Sequence, residues 1–452
     1  MSSSLSNERL RLGSVIATWW PLAASWLLMG LELPAVAAVM ARLPDPTLSL
    51  AAYGGVVFPL ILMIESPIIM LLPASTALSR DWASYHVVRR FMFLAGGLLT
   101  VLHVLVAFTP VYEWVAGTVL GIPIPVREPA RWGLQILTPW TFSIAYRRTQ
   151  QGVLIRFGRS HAVGIGTAIR LTANGLVLAI GFLLHNVPGI VVGSAAVAAG
   201  VMSEAVYAGL AVRRVLRDQV RVAPPVAVPL TDATFMRFYL PLMLTPIIWF
   251  VSMPLTSAAM SRMALAIESL AVWPVMTGVV FTARSLGFAL NEVVVTLLER
   301  PDPVPALRRF TALLAAFSTA ALLLFAATPL GRFWFERVSA LPAPLADLAR
   351  TGLWMMVLMP AFSPYQSLYQ GAIVHSHRTR AVTESVAVLL LTTALVLAIG
   401  IARGAVGLYV ASIATVASTA AQLVWLRFRA RRELAAVIAR DARPAEAAAA
   451  AS

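Results

Sequence analysis

Apolar residues run along this chain in stretches of about 20 or more, separated by short segments that carry arginine, proline and glycine. A helix rises about 1.5 Å per residue, so such a run crosses the hydrocarbon core of a bilayer. The runs predict twelve transmembrane helices, near residues 13–41, 50–78, 91–112, 132–155, 162–184, 190–212, 235–260, 267–298, 309–329, 350–374, 382–402 and 404–426. Several contain proline, which membrane helices tolerate because neighbouring groups re-satisfy the freed carbonyls.

The pattern repeats. Shifted by 220 residues, Pro21 meets Pro241, Pro34 meets Pro254, and Met40-Ala41-Arg42 meets Met260-Ser261-Arg262. Ser49 to Tyr53 then meets Ser269 to Trp273, Arg80 meets Arg300, and Phe142-Ser143 meets Phe362-Ser363. After a one-residue slip Gln151-Gly152 meets Gln370-Gly371, and Val187-Pro188-Gly189 corresponds to Ala405-Val406-Gly407. Two six-span halves of equal topology should be related by an axis along the membrane normal and give alternating access. The expected fold class is therefore all-α, a polytopic membrane protein of two pseudo-symmetric six-helix bundles. Its expected parts are an N-terminal bundle over 1–212, a cytoplasmic linker over 213–234, a C-terminal bundle over 235–426 and a cytoplasmic tail over 427–452. The tail reads as a frayed helix.

Composition narrows the function. Hydrophobic residues make up 59% and charged residues 12%, with a mean hydropathy of +0.81. A soluble chain carries roughly 25% charged residues, so a soluble enzyme and a nucleic-acid partner are both excluded as expectations. The net charge of +15 comes from 35 arginines without a lysine. With both termini cytoplasmic, 23 of them fall in inner segments and 8 in outer loops, while Arg147, Arg148, Arg170 and Arg284 fall inside spans. The positive-inside rule selects that orientation. Lysine-free, alanine-rich usage fits a GC-rich bacterial genome, hence a bacterial inner membrane. Ser2–Arg11 leads straight into an apolar segment, so no signal peptide is expected. The absence of cysteine excludes disulfides and thiolate metal sites. Neither a Walker loop nor an H-E-x-x-H or serine-protease pattern occurs, so no enzyme activity, cofactor or metal is expected.

The loop between spans 2 and 3 reads Ser79-Arg80-Asp81-Trp82-Ala83-Ser84-Tyr85-His86, without the glycines of the major facilitator motif. Several other stretches resemble the progressive ankylosis family, within the superfamily of multidrug (MATE-like), polysaccharide and oligosaccharidyl-lipid exporters (MOP). These are Ala52-Tyr53-Gly54 leading to Pro67 and Ser79-Arg80-Asp81, Phe238-Tyr239-Leu240-Pro241-Leu242 with Pro254 and Ser261-Arg262, Trp273-Pro274-Val275, and Pro360 to Gly371. The resemblance implies export of a small organic or phosphate-bearing anion such as citrate, pyrophosphate or a nucleotide. Two further readings stay open: a proton- or sodium-coupled multidrug antiporter of the same fold, and a flippase for lipid-linked saccharides. The expected partners are the small anion and the bilayer, with a monomer as the default state.

Ionisable groups at membrane depth are costly and usually face a cavity or one another. Glu65 shifted by 220 lands on Ser285, beside Arg284. In the superfamily that the chain resembles, spans 1, 2, 7 and 8 line the cleft. Glu65 and Arg284 are therefore expected to pair when the site is empty and to part when an anion binds Arg284, or else to form a structural bridge. A guanidinium fork suits carboxylate or phosphate. Arg147 and Arg148 point about 100° apart, so one is a candidate substrate ligand and the other snorkels. Gln366 and Gln370, at i and i+4, give span 10 a polar face and join the candidate substrate site. Glu32, two residues before Pro34, and Glu292 are the candidate coupling carboxylates. Glu204 reads as interfacial, Arg170 with Asn174 as a structural polar pair, and His103 as a satisfied core histidine.

Overall fold

The computed structural model describes residue 10, residues 12–376 and residues 380–450. Arg9, Arg11 and Arg378 of the arginine count, and the leader before residue 10, lie outside them. The described chain is helical throughout, without a strand. In order it forms α1 (Leu12–Met40), α2 (Pro46–Leu78), α3 (Trp82–Phe108), α4 (Ile124–Ile136), α5 (Thr138–Arg156), α6 (His161–Leu184) and α7 (Gly189–Val220). It continues with α8 (Asp232–Met260), α9 (Ala266–Leu297), α10 (Pro303–Ala327), α11 (Ala343–Met355), α12 (Met359–His375), α13 (Arg380–Ala402) and α14 (Gly407–Ala450).

Among the described residues, ten helices are long and apolar enough to cross a membrane, and α11 with α12, bent by 42°, makes an eleventh. The remaining expected span is α5. It carries Arg147, Arg148, Gln150 and Gln151, and eleven of its nineteen residues are buried. Polar groups at that depth are tolerated because they face other helices rather than lipid. Large side chains on neighbouring helices do face outward, Leu98 on α3 and Leu183 on α6 being 70% and 78% exposed.

The repeat shows in the backbone. α1 and α8 are both 29 residues long and begin 220 residues apart. α4 and α11 are both 13 residues long, each following a widened π turn that opens on a tryptophan, Trp114 or Trp334. Arg42 donates to the Ala38 carbonyl at 2.6 Å, and Arg262 to the Ala258 carbonyl at 2.7 Å, so each satisfies the C-terminal end of its helix. Asp45 and Leu265 then share a left-handed conformation, with φ of 53° and 54°. Asp tolerates it; for leucine it costs roughly 1–2 kcal/mol. The backbone N–H groups of the buried Ser49 and Ser269 accept that geometry by donating to the carbonyls of Asp45 and Leu265, both at 2.8 Å.

Compactness divides the chain differently from the repeat. One unit comprises residues 36–273, the other the residues up to 35 and from 274 onward. In the second unit Trp19 of α1 donates its indole N–H to the Leu286 carbonyl at 2.9 Å, and Thr282 donates to the Gly30 carbonyl at 3.0 Å. In the first unit α8 is held likewise: Tyr239 donates to the Pro67 carbonyl at 2.6 Å, and Phe91, Phe235 and Tyr239 stack within 4.8–5.3 Å. The irregular linker is short, because α7 runs to Val220 and α8 starts at Asp232. Within it the Val226 N–H donates to Asp81 at 3.1 Å. As far as Asp441 the tail packs rather than frays: α14 continues past its span, Arg429 pairs with Glu384 at 3.3 Å, and Leu434 is buried among Leu10, Val304 and Leu307.

Candidate functional site

Each unit holds its own polar cluster at membrane depth. In the unit of residues 36–273 the hub is Glu204 on α7, which is 1% exposed. It accepts a hydrogen bond from Arg147 on α5, another from Gln151 at 2.9 Å, and lies 3.7 Å from the Arg170 Nε on α6. Gly166 on α6 makes room for it, since a Cβ there would stand 3.3 Å from the Glu204 side chain. The expectation that Glu204 is interfacial is thus corrected, and Arg170 serves this carboxylate in addition to sharing a helix face with Asn174. A buried carboxylate needs such a shell, because an uncompensated charge in low dielectric is costly.

Glu65, 3% exposed at a distorted turn of α2, accepts from the Trp140 indole N–H of α5. Arg148, half-buried, lies in electrostatic range of Glu65 and Glu204, yet its Nε is buried without a hydrogen-bond partner. Of the two adjacent arginines Arg147 is bound to Glu204, although its Nε, like that of Arg148, is buried without a hydrogen-bond partner.

In the other unit the cation is Arg284 on α9. It donates to the Gln366 side-chain oxygen of α12 at 3.4 Å, stacks over Phe288 at 5.1 Å, and its Nε is buried without a partner. A relay orients Gln366. Ser385 donates to the Val382 carbonyl at 2.7 Å, so its oxygen accepts from Gln422 at 3.3 Å. Gln422 in turn accepts from Gln366 at 2.7 Å, which leaves the Gln366 oxygen to face Arg284. Among the described residues no carboxylate pairs with Arg284. Within its own unit, Glu65 accepts from Trp140 and Arg284 donates to Gln366.

The other expected site residues are scattered. Gln370 is half-buried one turn beyond Gln366, Glu32 is half-buried on α1, and Glu292 is exposed on α9. His103 is a satisfied core histidine, bonded at 3.0 Å to both Thr141 and the Leu134 carbonyl. That carbonyl can only accept, so Nε2 carries the proton and Nδ1 receives the Thr141 hydroxyl. Sequence reasoning passed over Trp140, Gln151, Ser385 and Gln422. The repeat could have flagged Gln422, since the shift that takes Gly189 to Gly407 takes Glu204 to Gln422.

No protein-family model matches the chain, and no curated protein sequence matches it. Solved structures do. A multidrug resistance MATE family transporter of the MOP superfamily, in an inward-facing conformation, is 12% identical with a TM-score of 0.69, over 91% of this chain and 98% of that one. The lipid II flippase MurJ, in an inward closed conformation, is 12% identical with a TM-score of 0.68, over 92% and 89%. A MOP superfamily transporter from Pyrococcus furiosus, described as having a binding pocket of reversed polarity, is 14% identical with a TM-score of 0.63, over 95% and 99%. Identity this low speaks for architecture alone. The chain has the all-helical, multi-pass fold shared by the MATE-type and MurJ-type transporters of the MOP superfamily.

Proposed function

We propose that the chain is a membrane transporter for a small organic or phosphate-bearing anion, of the citrate, pyrophosphate or nucleotide kind, working by alternating access. The observation that carries this reading is the state of Arg284. It is a guanidinium at membrane depth with no carboxylate partner among the described residues, one long hydrogen bond to an amide, and a buried Nε left over. Such a cation is costly in a span unless an anion visits it. Its planar fork fits carboxylate or phosphate, and the Gln366–Gln422–Ser385 relay holds the amide beside it in one orientation. Gln370 extends the polar face of α12, and in the other unit Arg148 stays a candidate substrate ligand by itself. The likeness to the progressive ankylosis exporters points to the same substrate class, and the arginine asymmetry to an inner membrane with both termini cytoplasmic.

A second reading is favoured by Glu65. A buried carboxylate held by one indole N–H can release and rebind a proton or a cation, as a coupled multidrug antiporter requires. Glu32 and Glu292 remain the further coupling candidates. A lipid-linked saccharide flippase shares the fold and is the third reading.

Thermal unfolding of the purified protein in detergent separates these. A ligand that binds only the folded state stabilises it by about 2.7 kcal/mol at a hundredfold excess over its Kd. Citrate, pyrophosphate or ATP should raise the melting temperature of the wild type and leave Arg284→Ala unmoved. Stabilisation by cationic dyes alone, lost in Glu65→Gln, would replace the anion reading by the antiporter.

A further inference from the structure

A second site lies apart from all of these residues. At the end of α3, α5 and α7 from which the linker leaves, a cavity of about 660 Å³ is lined by Arg89, Arg213, Arg214, Arg217 and Arg221. We propose that it binds the phosphate of an anionic phospholipid headgroup.

Cations outnumber carboxylates around this cavity. Arg217 takes Asp218, with contacts of 2.6 and 3.3 Å, and Asp81, next to the lining Trp82, is held by the Ser84 and Val226 N–H groups. None of Arg89, Arg213, Arg214 and Arg221 forms an ion pair among the described residues. Four like charges around one concavity repel unless an anion enters. Aromatic rings hold two of them in place: Arg221 lies 4.5 Å over the Trp82 ring, and Arg89 lies 5.5 Å over Phe93. These cations are thus positioned without being neutralised, which is the condition a phosphate site needs.

Tyr85 and Tyr146 line the interior, with Tyr85 donating to Gln150 at 3.3 Å, and Gly209 on α7 lets the Tyr146 hydroxyl approach. Phe93, itself in the lining, and Leu94 on α3 are 43% and 64% exposed, and Val206 and Leu210 on α7 are 62% and 52% exposed. A cluster of cations therefore adjoins two outward-facing apolar helix surfaces. That amphipathic layout fits a headgroup whose acyl chains lie along α3 and α7. The arginine count puts this end in the cytoplasm, where anionic lipid attracts basic segments.

The site shares no residue with the Arg284 cluster, so Arg284→Ala should leave it intact and the two readings fail separately. The test uses the full chain, purified in detergent and titrated with phosphatidylglycerol, phosphatidylcholine or glycerol 1-phosphate while thermal unfolding is followed. Phosphatidylglycerol should raise the melting temperature saturably and phosphatidylcholine should not. In Arg213→Gln/Arg214→Gln the apparent affinity should fall by about tenfold or more, as the loss of two near-surface cations implies. Arg221→Gln, a change on exposed non-helical chain, gives the same comparison if the double variant does not fold. Glycerol 1-phosphate acting as well as the lipid would keep the phosphate site but remove the lipid as its occupant. Equal effects of the two lipids, or a response that survives both variants, would overturn the proposal.

Discussion

Gln366 donates its amide to Gln422 at 2.7 Å, at the places where the other half of the repeat puts Arg147 and Glu204. The slips that bring Gln151 onto Gln370 and Gly189 onto Gly407 carry Arg147 onto Gln366 and Glu204 onto Gln422. One contact between equivalent helices is therefore an ion pair in one unit and a neutral amide pair in the other. The ion pair consumes its cation. The amide pair consumes no charge, and it turns an oxygen toward Arg284, whose guanidinium is left to serve something else.

That equivalence predicts an asymmetric mutational response. Glu204→Gln leaves Arg147 and Arg170 without their carboxylate and should cost about 3–5 kcal/mol, as breaking a buried pair from one side does. Arg147→Gln should cost less, because Gln151 and Arg170 still serve Glu204. The double variant recreates the amide pair of the other repeat and should be more stable than Glu204→Gln alone. Melting temperatures in detergent measure all three; strictly additive losses would show that the two positions are not coupled.

Gly152 tests the packing of α5 on α2. A Cβ at this position would stand 2.7 Å from the Leu72 carbonyl oxygen and against the Ser75 side chain, which itself donates to the Thr149 carbonyl at 2.8 Å. The backbone oxygen cannot move aside without opening that contact. Gly152→Ala should therefore destabilise by about 1–3 kcal/mol, the range for overpacking, despite alanine's better helix propensity. Its counterpart Gly371→Ala meets the Val294 side chain at 2.7 Å, but its nearest backbone oxygen, of Asn291, stands at 3.1 Å against 2.7 Å for Leu72, so it should cost less. Equal melting temperatures for the two variants would contradict this account.

The spans were legible because a 20-residue apolar run has one physical meaning in a bilayer, and because Pro21, Pro34 and their counterparts mark the repeat. Arg284, Glu65 and Gln366 were legible because polar groups stand out in such runs. Their partners were not. Which neighbour a side chain meets depends on helix rotation, at 100° per residue, and a helix apolar all round carries no periodic signal of its rotation. Glu204 looks interfacial when the apolar run is read as ending at 212, but α7 continues to Val220, and α5 and α6 bury the carboxylate. Trp140 looks like an apolar residue until its N–H is seen to face Glu65. The exchange of α1 and α8 between compact units leaves no mark in the sequence either, since both halves keep the same pattern.

Asp81 should give folding a pH dependence. Burial works to raise its carboxyl, but hydrogen bonds from Ser84 and from the Val226 N–H outweigh it and hold the group below its ordinary 3.8. A carboxyl depressed in the folded state contributes stability in full above the unfolded value, and that stability drains away as pH falls through the lower folded value. Thermal unfolding should thus show no pH dependence from Asp81 near neutral pH and turn down below about 3.8. Asp81→Ala removes the α3 cap and the anchor for the linker, costing about 0.5–2 kcal/mol at neutral pH and flattening the acid decline. An unchanged decline in the variant would assign it to other carboxylates.

Beyond the final span the tail holds on to the rest of its unit. Arg440 donates to the Arg300 carbonyl at 3.0 Å, and the Asp302 N–H donates to Asp441 at 3.1 Å, so the end of α14 grips the turn that starts α10. Asp302 occupies a left-handed conformation, with φ of 46°, immediately before Pro303, and this grip satisfies its N–H. Leu434, 3% exposed, fills the cluster above. A chain ending after residue 426 should lose about 2 kcal/mol from Leu434 alone, plus the two contacts to the turn. A chain ending after residue 441 keeps all three and should melt with the full-length protein. If both truncations melted together with the full-length chain, the segment would contribute nothing to folding despite its contacts.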